Sequence, residues 1–270
     1  NMVVSSADLS NSDKTEGFLK NSKPFKKGDF SGGFLHAGVS ELTMACIMNG
    51  MALHGGIIPV CGTFFVFSDY MKPAFRMSAL MRQQVIYVWT HDAFRVGEDG
   101  PTHQPVEHEL QVRLMEALKN HKGKNSMLVL RPADVDETTV AWKMALENQD
   151  TPTALILSRQ NVKNLPRKES KYNEALGATK GAYIVKDCEG TADIILLASG
   201  SEVSTLVAAT ELLESRANLN VRIVSVPSEG LFFSQPESYI RSVIDYNLPI
   251  FGLTAGLPLS MQRLVGLKGK

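Results

Sequence analysis

The stretch "IIPVCGTFFVFSDYMKPAFRMSALMRQQVIYVWT", residues 57–90, decides the fold of this chain. It begins and ends with continuously apolar runs, "IIPVCG" (57–62) and "VIYVWT" (85–90), and a helical pattern over 66–82 separates them. Apolar runs without alternation are typical of strands that are buried on both faces. The stretch therefore predicts a strand–helix–strand unit, from which parallel sheets are built.

The same alternation continues along the chain. Further strands are predicted at 126–131, 153–158, 193–199, 220–226 and 248–253, and further helices at 40–54, 105–119, 134–148, 202–216 and 236–245. We therefore predict an α/β fold with a mainly parallel sheet flanked by helices. The polar, lysine-rich run 160–180 breaks the rhythm as a linker does. We expect a domain at 1–165, a linker at 166–180 and a smaller, incomplete α/β domain of about three strands at 181–270.

Composition excludes several classes of protein. The 28 basic residues balance 28 acidic ones, which argues against a general nucleic-acid or anionic-membrane surface. No apolar run reaches the ~18 residues of a membrane span. The three cysteines form no CxxC pair, so neither a disulfide framework nor a zinc ribbon is indicated, and a cytoplasmic location is expected. Cys46 and Cys61 lie in apolar runs and are predicted to be in the core.

The segment "THDAFRVGEDGPTHQPVEHE" (90–109) concentrates histidines and carboxylates just after the predicted strand 85–90. The carboxyl ends of strands are where open parallel sheets place their ligand crevices. The residue types alone allow three interpretations of this segment. It can be an acidic surface turn with polar side chains, a substrate pocket, or a metal site formed by Asp99, His103 and His108. No ligand spacing typical of a metal site supports the last of these.

Glu41 begins the predicted helix 40–54, which is apolar on most faces and is therefore expected to be buried. A carboxylate at this position can simply complement the helix dipole. Alternatively, a half-buried carboxyl group there can hydrogen-bond a bound heterocycle.

Other residues can likewise have a structural role or a ligand-binding role. Phe64, Phe67 and Tyr70 recur every three residues, so they can be core or a flat wall for an aromatic ring. Arg159 follows the predicted strand 153–158, a position that suits recognition of phosphate or carboxylate. Asp134 is predicted to cap the helix that follows it.

In this order, the pieces resemble one family, transketolase. The matching pieces are "SSADLS", "GVSE", "CGTFFVFSDY", "THDAFRVGEDGPTHQPVEHE", "RPAD", "LSRQN", "GAYIVKD" and "DIILLASGSEVS". The resemblance implies thiamine diphosphate as cofactor and transfer of a two-carbon ketol unit between sugar phosphates, in the pentose phosphate pathway. It also implies that residues 1–165 form a pyrimidine-binding domain with the thiamine diphosphate-binding fold, and that the remainder begins a C-terminal domain.

The resemblance also implies roles for individual residues. Implied as catalytic are Glu41, His91 and His103. Implied as cofactor-binding are Glu41, Phe64, Phe67, Tyr70 and Asp8. Implied as substrate-binding are Ser12, His91, Asp99, His103 and Arg159. No metal ligand is implied in this chain, because the family's magnesium motif, of the type GDG…N, belongs to a diphosphate-binding domain that this sequence does not contain.

A chain with half of an active site is expected to be inactive alone and to work as a homodimer or with a diphosphate-binding subunit. Two alternatives stay open: a related thiamine diphosphate enzyme such as deoxyxylulose-phosphate synthase, and a non-catalytic assembly module. The sequence departs from the family's usual pattern in three places. Ser40 and Leu42 replace arginine and histidine beside Glu41, and Ala93, Phe94 and Arg95 replace a serine and small apolar residues in the segment 90–109. The run "LTAG" (253–256) replaces a segment that usually carries an acidic residue.

Overall fold

The computed structural model describes residues 1–167, 171–267 and 269–270. Residues 168–170 of the predicted linker and residue 268 of the predicted second domain lie outside the described residues. By their contacts, the residues divide into two units, Asn1–Leu128 with Ala145–Gln160 and Val129–Met144 with Asn161–Lys270. The domain boundaries predicted from the sequence stay a prediction.

The first sheet has six parallel strands, which confirms the predicted fold class. They are β1 (Met2–Ser6), β2 (Phe34–His36), β3 (Ile58–Phe64), β4 (Ile86–Thr90), β5 (Leu128–Leu130) and β6 (Thr153–Leu157), in the order β2-β1-β3-β4-β6-β5. Strands β1 and β2 are absent from the sequence-based prediction. β1 is short and sits next to polar residues, and β2 has only three residues, so neither gives a clear apolar run.

The first unit contains four α-helices. They are α1 (Glu16–Leu19), α2 (Glu41–His54), α3 (Ser68–Met81) and α4 (His108–Ala117), and a single 3₁₀ turn, Phe65–Phe67, leads from β3 into α3. The three longer helices are confirmed within three residues of their predicted starts and ends. Among the described residues, no helix combines the length and the apolar character that crossing a bilayer requires.

Strand register brings the carboxyl ends of the first sheet to a common edge. Ser6 pairs with Gly62, Phe64 pairs with Thr90, and Thr90 pairs with Leu157. The chain leaves β1, β3, β4 and β6 within a residue or two of these pairs, so the four following loops meet at one side. This is the edge at which open parallel sheets bind ligands.

The expectation that α2 is buried on most faces is wrong. Helix α2 covers β3 and α3 with one face, while Leu42, Ile47 and Leu53 on its other side are exposed. Cys46 is also exposed, contrary to its predicted core position, whereas Cys61 in β3 is buried as predicted. A uniformly apolar helix shows no polar stripe, so its sequence cannot indicate which face a neighbouring element covers.

The second unit contains a four-stranded sheet instead of the three strands expected. Its strands are β7 (Tyr183–Lys186), β8 (Ile194–Ala198), β9 (Val221–Ser225) and β10 (Ile250–Leu253), in the order β10-β8-β9-β7. The missed strand, β7, is antiparallel to β9, and the other pairs are parallel. One cluster of buried side chains, which includes Ile195, Val224 and Phe232, forms part of the core of this unit.

The remaining helices are α5 (Val135–Glu147), α6 (Lys171–Ala175), α7 (Glu202–Ala217), α8 (Glu229–Phe232), α9 (Glu237–Val243) and α10 (Gln262–Val265). Asp134 caps α5 as predicted, because its Oδ1 accepts a hydrogen bond from the backbone of Glu137 at 2.9 Å. Helix α6 and a 3₁₀ turn at Leu176–Lys180 fall within the predicted linker, so that part of it has regular structure.

Candidate active site

All of the predicted site residues belong to the first unit, and nearly all lie at or just beyond the carboxyl end of a strand. Asp8 and Ser12 follow β1, Glu41 follows β2, Phe64 ends β3 with Phe67 and Tyr70 after it, His91, Asp99 and His103 follow β4, and Arg159 follows β6. The elements therefore bring these side chains to one edge, as the sequence predicts. Their roles remain proposals.

Three aromatic side chains and two histidines form a cluster at this edge. The Phe64 ring stacks on the His91 imidazole with centroids 3.7 Å apart, and it lies nearly parallel to Phe67 at 5.9 Å. The edge of His103 meets Phe67 at 5.2 Å, and Tyr70 lies 6.1 Å from Phe67. Phe64 and Phe67 lie on the same side because the 3₁₀ turn Phe65–Phe67 joins them, and residues i and i+3 eclipse in such a turn. The predicted aromatic wall is therefore present, with Tyr70 at its exposed end.

His91 adopts a backbone conformation that non-glycine residues rarely use. Its φ is +61°, at the point where the chain turns sharply out of β4. Such strain persists only where the surroundings hold it, and it clusters at functional sites. The stack on Phe64 and a contact of 3.1 Å between its Nδ1 and Thr90 Oγ1 hold the ring in place.

Burial is the main reason that the pKa of His91 is lowered to about 4. The nearby Asp99 carboxylate opposes this shift, whereas the positive charges of Arg159, His103 and Lys14 contribute to it. The imidazole is therefore neutral near pH 7, so that one ring nitrogen can donate a hydrogen bond while the other accepts one.

The loop after β1 is fixed by Asp13, a residue that sequence reasoning missed. Its buried carboxylate accepts hydrogen bonds from Ser6 Oγ at 2.6 Å and from Thr15 Oγ1 at 2.7 Å. A side chain at Gly62 in β3 would meet Asp13 and Thr15, so the glycine makes room for this anchor. Lys14, the next residue, has a φ of +66° and is exposed. No periodic pattern marks Asp13, because its partners are set by the pairing of β1 with β3.

Glu41 starts α2, and its side chain is largely removed from solvent, with 8% exposed. Among the residues that the structure describes, its carboxylate has no hydrogen-bonding or ionic partner. Buried carboxylates are normally paired, because leaving water without compensation costs free energy. The neighbouring Ser40 does not compensate, since its Oγ donates to Ala37 O at 2.7 Å. Leu42, the second departure from the family pattern beside Glu41, is exposed.

Arg159 lies against the loop after β4. A Cβ added at Gly97 would come within 3.2 Å of the Arg159 guanidinium carbon, and Gly97 has a φ of +79°. Arg159 Nη2 is 3.9 Å from Glu98 Oε2. In the same loop, Phe94 is exposed and its ring lies 5.7 Å from the Arg95 guanidinium carbon.

The structure groups Asp69, Glu107 and His108, and not Asp99, His103 and His108, as a set of side chains that could hold a metal ion. One ligand atom from each lies within 4.8 Å of the others. His108 Nε2 is 3.1 Å from Asp69 Oδ2, a contact that ties the start of α4 to the start of α3. Both carboxylates are exposed, so we interpret this contact as structural.

Comparison with known families agrees with this geometry. Residues 1–164 match the family model of the transketolase pyrimidine-binding domain, and residues 181–270 match that of the transketolase-like C-terminal domain. The chain therefore belongs to the transketolase family.

Individual relatives are longer than this chain. It is 46% identical to the transketolase of Halalkalibacterium halodurans over 98% of its own length but 38% of that protein. Among solved structures, a Pichia stipitis transketolase in complex with sedoheptulose-7-phosphate matches 94% of this chain and 36% of its own, with a TM-score of 0.81 and 38% identity. A split-gene transketolase described as an inactive β4 tetramer shares the fold, with a TM-score of 0.68 and 22% identity over 97% of this chain and 77% of its own.

Proposed function

We propose that this chain supplies the pyrimidine-side half of a transketolase-type active site, which moves a two-carbon ketol unit between sugar phosphates with thiamine diphosphate. The observation that carries the proposal is the Glu41 carboxylate, which is 8% exposed and has no partner among the described residues. A buried, unpaired carboxyl group at the ligand-binding edge of a parallel sheet is suited to a ligand that supplies a hydrogen-bond donor.

The side chains at this edge fit an aminopyrimidine ring. Phe67 offers a partly exposed aromatic face beside Phe64, with which it is nearly parallel at 14°, and Tyr70 extends that wall toward solvent. Flat apolar walls orient a ring by stacking. Glu41 would accept a hydrogen bond from the ring and fix its orientation. Asp8, exposed on the loop after β1, is proposed as a further contact to the cofactor.

When bound, thiamine diphosphate supplies a nucleophilic thiazolium carbon, and the protein supplies orientation and electrostatics. His91, neutral and held by Phe64, would hydrogen-bond a sugar hydroxyl. His103 and Asp99 lie on the same loop and would bind neighbouring hydroxyls. These groups can hold or pass the hydroxyl protons as the carbon–carbon bond breaks and forms.

Arg159 and Ser12 would bind the phosphate of the sugar. The guanidinium presents planar donors that match two phosphate oxygens at once. The solved Pichia stipitis relative contains a seven-carbon sugar phosphate, which supports sugar phosphates as the substrate class.

The diphosphate and magnesium would be held outside these 270 residues, by a diphosphate-binding domain on the same polypeptide, a second copy or a separate subunit. The exposed apolar side chains of α2 and α3 support such an assembly. They are Leu42, Ile47 and Leu53 on α2, and Met77 and Leu80 on α3. Apolar patches of this kind mark interaction surfaces. The fold-level likeness to a split-gene transketolase agrees with assembly from several chains. A cytoplasmic location stays a prediction.

The test combines this chain with a diphosphate-binding transketolase half, thiamine diphosphate, magnesium, a ketose phosphate donor and an aldose phosphate acceptor. Ketol transfer is expected, and Glu41→Gln should lower kcat at least a hundredfold. Glu16→Gln, which removes a partly exposed carboxylate paired with Lys20, is the matched control and should leave kcat unchanged. Full activity of Glu41→Gln would show that the role given to Glu41 is wrong.

Two further arms separate the alternatives. Replacing the ketose phosphate by pyruvate tests for a deoxyxylulose-phosphate synthase, which would use pyruvate as donor. Cofactor binding measured by calorimetry tests for an assembly module. Stable assembly without cofactor binding or turnover, with any diphosphate-binding partner, would favour the module.

A further inference from the structure

The Arg159 guanidinium packs against the loop after β4, and this packing depends on Gly97. A Cβ at Gly97 would lie 3.2 Å from both Cζ and Nη2 of Arg159 and 3.4 Å from Nη1. All three atoms are this close only if the flat guanidinium lies against the loop backbone. The absence of a side chain at Gly97 thus lets the guanidinium approach the loop, while 40% of the Arg159 side chain stays exposed.

Within the described part of the chain, Glu98 is the one ionic partner of Arg159. The contact between Glu98 Oε2 and Arg159 Nη2 is 3.9 Å, the Glu98 side chain is 89% exposed, and that of Arg159 is 40% exposed. Exposed pairs of this kind contribute little, because water and salt compete for both charges. One carboxylate oxygen at this distance also leaves most of the five guanidinium N–H donors available.

Arg159 is one of several charged groups near His91. Arg159 and Lys14 both act on His91 as nearby positive charges, while Asp99 acts on it as a negative one. A phosphate that reaches this edge meets two cations, and Glu98 is the carboxylate that contacts the guanidinium it would bind. A phosphate oxyanion can bind the guanidinium through two parallel hydrogen bonds, which is stronger than one distant carboxylate contact.

We propose that Glu98 is an internal anion that occupies Arg159 in the free protein and is displaced by the phosphate of the substrate. This inference rests on the proposed function, because it refines how the phosphate is recognised. Glu98 acts here as a positioning residue: it keeps the guanidinium oriented at the loop and lowers its affinity for other anions. Its removal should therefore tighten phosphate binding instead of weakening it.

The first experiment titrates the protein with inorganic phosphate and compares the wild type with Glu98→Gln. We expect the Kd for phosphate to fall about two- to fivefold in the variant, which is the range that a weak surface ion pair allows. Asp150→Asn is the matched control. Asp150 contacts Arg82 and Lys124 and lies just before the start of β6, at the opposite edge of the sheet. Asp150→Asn should therefore leave the Kd for phosphate unchanged.

The second experiment measures turnover in the assembled enzyme. Glu98→Gln should lower KM for phosphorylated substrates by the same two- to fivefold, while KM for a non-phosphorylated aldehyde acceptor and kcat stay unchanged. Equal phosphate affinity of the two proteins, absence of phosphate binding in both, or an equal change of KM for both kinds of substrate would overturn the inference. The phosphate titration needs no turnover, so failure of ketol transfer alone would count against the proposed function and not against Glu98.

Discussion

The Phe64 ring and the His91 imidazole stack with their centroids 3.7 Å apart, although 27 positions separate them in the sequence. The stack exists because Phe64 pairs with Thr90 across β3 and β4, which places His91 one residue beyond the pair. Together with the strained backbone of His91, it fixes an imidazole at the carboxyl edge of the sheet. The contact also removes the imidazole from water, which disfavours its charged form.

The charges around His91 should set its pKa in a way that can be measured. Replacing Lys14 by Met removes a positive charge that lowers the pKa of His91, so the pKa should rise above about 4. Replacing Asp99 by Asn removes the carboxylate that raises it, so the pKa should fall. NMR titration of the His91 ring resonances in each variant gives both directions.

Lys27→Met provides the control for this titration, because Lys27 is exposed and is not among the charges that act on His91. A shift of the same size in Lys14→Met and Lys27→Met would mean that only the net charge of the protein matters. Opposite shifts in Lys14→Met and Asp99→Asn are the result that the geometry requires.

The lowered pKa of His91 should also make the protein less stable in mild acid. The unfolded chain binds a proton near the ordinary pKa of 6.5, whereas the folded protein does so only near 4. Between these values the unfolded state holds more protons, so the free energy of unfolding should decrease as pH falls from 6.5 to 4. A difference of this size corresponds to roughly 3 kcal/mol.

Urea unfolding of the wild type and of His91→Gln at pH 7 and at pH 4 checks this. The variant is expected to lose stability at pH 7, because the stack on Phe64 changes. Its further loss between pH 7 and pH 4 should nevertheless be smaller than that of the wild type. An identical loss in both proteins would show that His91 does not carry the effect.

The sequence predicts the location of the site better than its internal contacts. Continuous apolar runs followed by polar residues identify the carboxyl ends of β4 and β6, and so place His91 and Arg159 correctly. The Phe64–His91 stack and the Asp13 anchor depend on which strands are neighbours, and this is not encoded in local periodicity. For the same reason, the uniformly apolar α2 does not reveal its open face. The missed strand β7 is four residues long, too short to give a clear period.

Alanine substitutions at Gly97 and Gly100 can separate the effect of backbone strain from the effect on the packing of Arg159 against the loop. Both have positive φ, +79° and +74°, so an alanine at either should cost about 1–2 kcal/mol of stability. Only at Gly97 would the new Cβ meet the Arg159 guanidinium, since the nearest atom at Gly100 is a backbone oxygen at 4.0 Å. Gly97→Ala should therefore also weaken phosphate binding, by about tenfold, which is ~1.4 kcal/mol.

Thermal unfolding and phosphate titration of the two alanine variants measure these effects. Similar stability with different phosphate affinity is the expected pattern. If the two variants bound phosphate equally well, Gly97 would be needed only for the backbone turn and not for the packing of Arg159.

The exposed face of α2 and α3 should be needed for assembly. Leu53 on α2 is 58% exposed, and a charge there should oppose burial against another protein surface. Leu53→Glu is expected to weaken association with a diphosphate-binding partner, or with a second copy, at least tenfold. Leu212→Glu is the matched control, because Leu212 is 54% exposed but lies on α7 in the second unit. Sedimentation velocity over a concentration series distinguishes them, and equal assembly of both variants would locate the interface elsewhere.

The second unit contains a buried ionic network around Arg167 and Asp134. The Arg167 side chain, 2% exposed, pairs with the buried Asp134 carboxylate, and its Nη2 donates to Tyr183 Oη at 3.2 Å. Burial alone would raise the pKa of Asp134, but Arg167 and the backbone of Glu137 and Leu165 hold it below its ordinary value. Arg167→Met leaves this carboxylate buried without its main partner, and should lower the free energy of unfolding by about 3–5 kcal/mol.

Arg222→Met is the comparison, because Arg222 pairs with the more exposed Asp187 through two contacts of 2.9 and 3.1 Å in the same unit. Its loss should cost less than about 1 kcal/mol, since exposed pairs contribute little. Guanidinium unfolding at pH 7 gives both values. The Asp134 carboxylate is charged only above its lowered pKa, so the penalty of Arg167→Met should shrink as pH falls and the carboxylate of the variant takes up a proton. A penalty that is equal for the two arginines, or that does not change with pH, would mean that packing and not charge holds Arg167 in place.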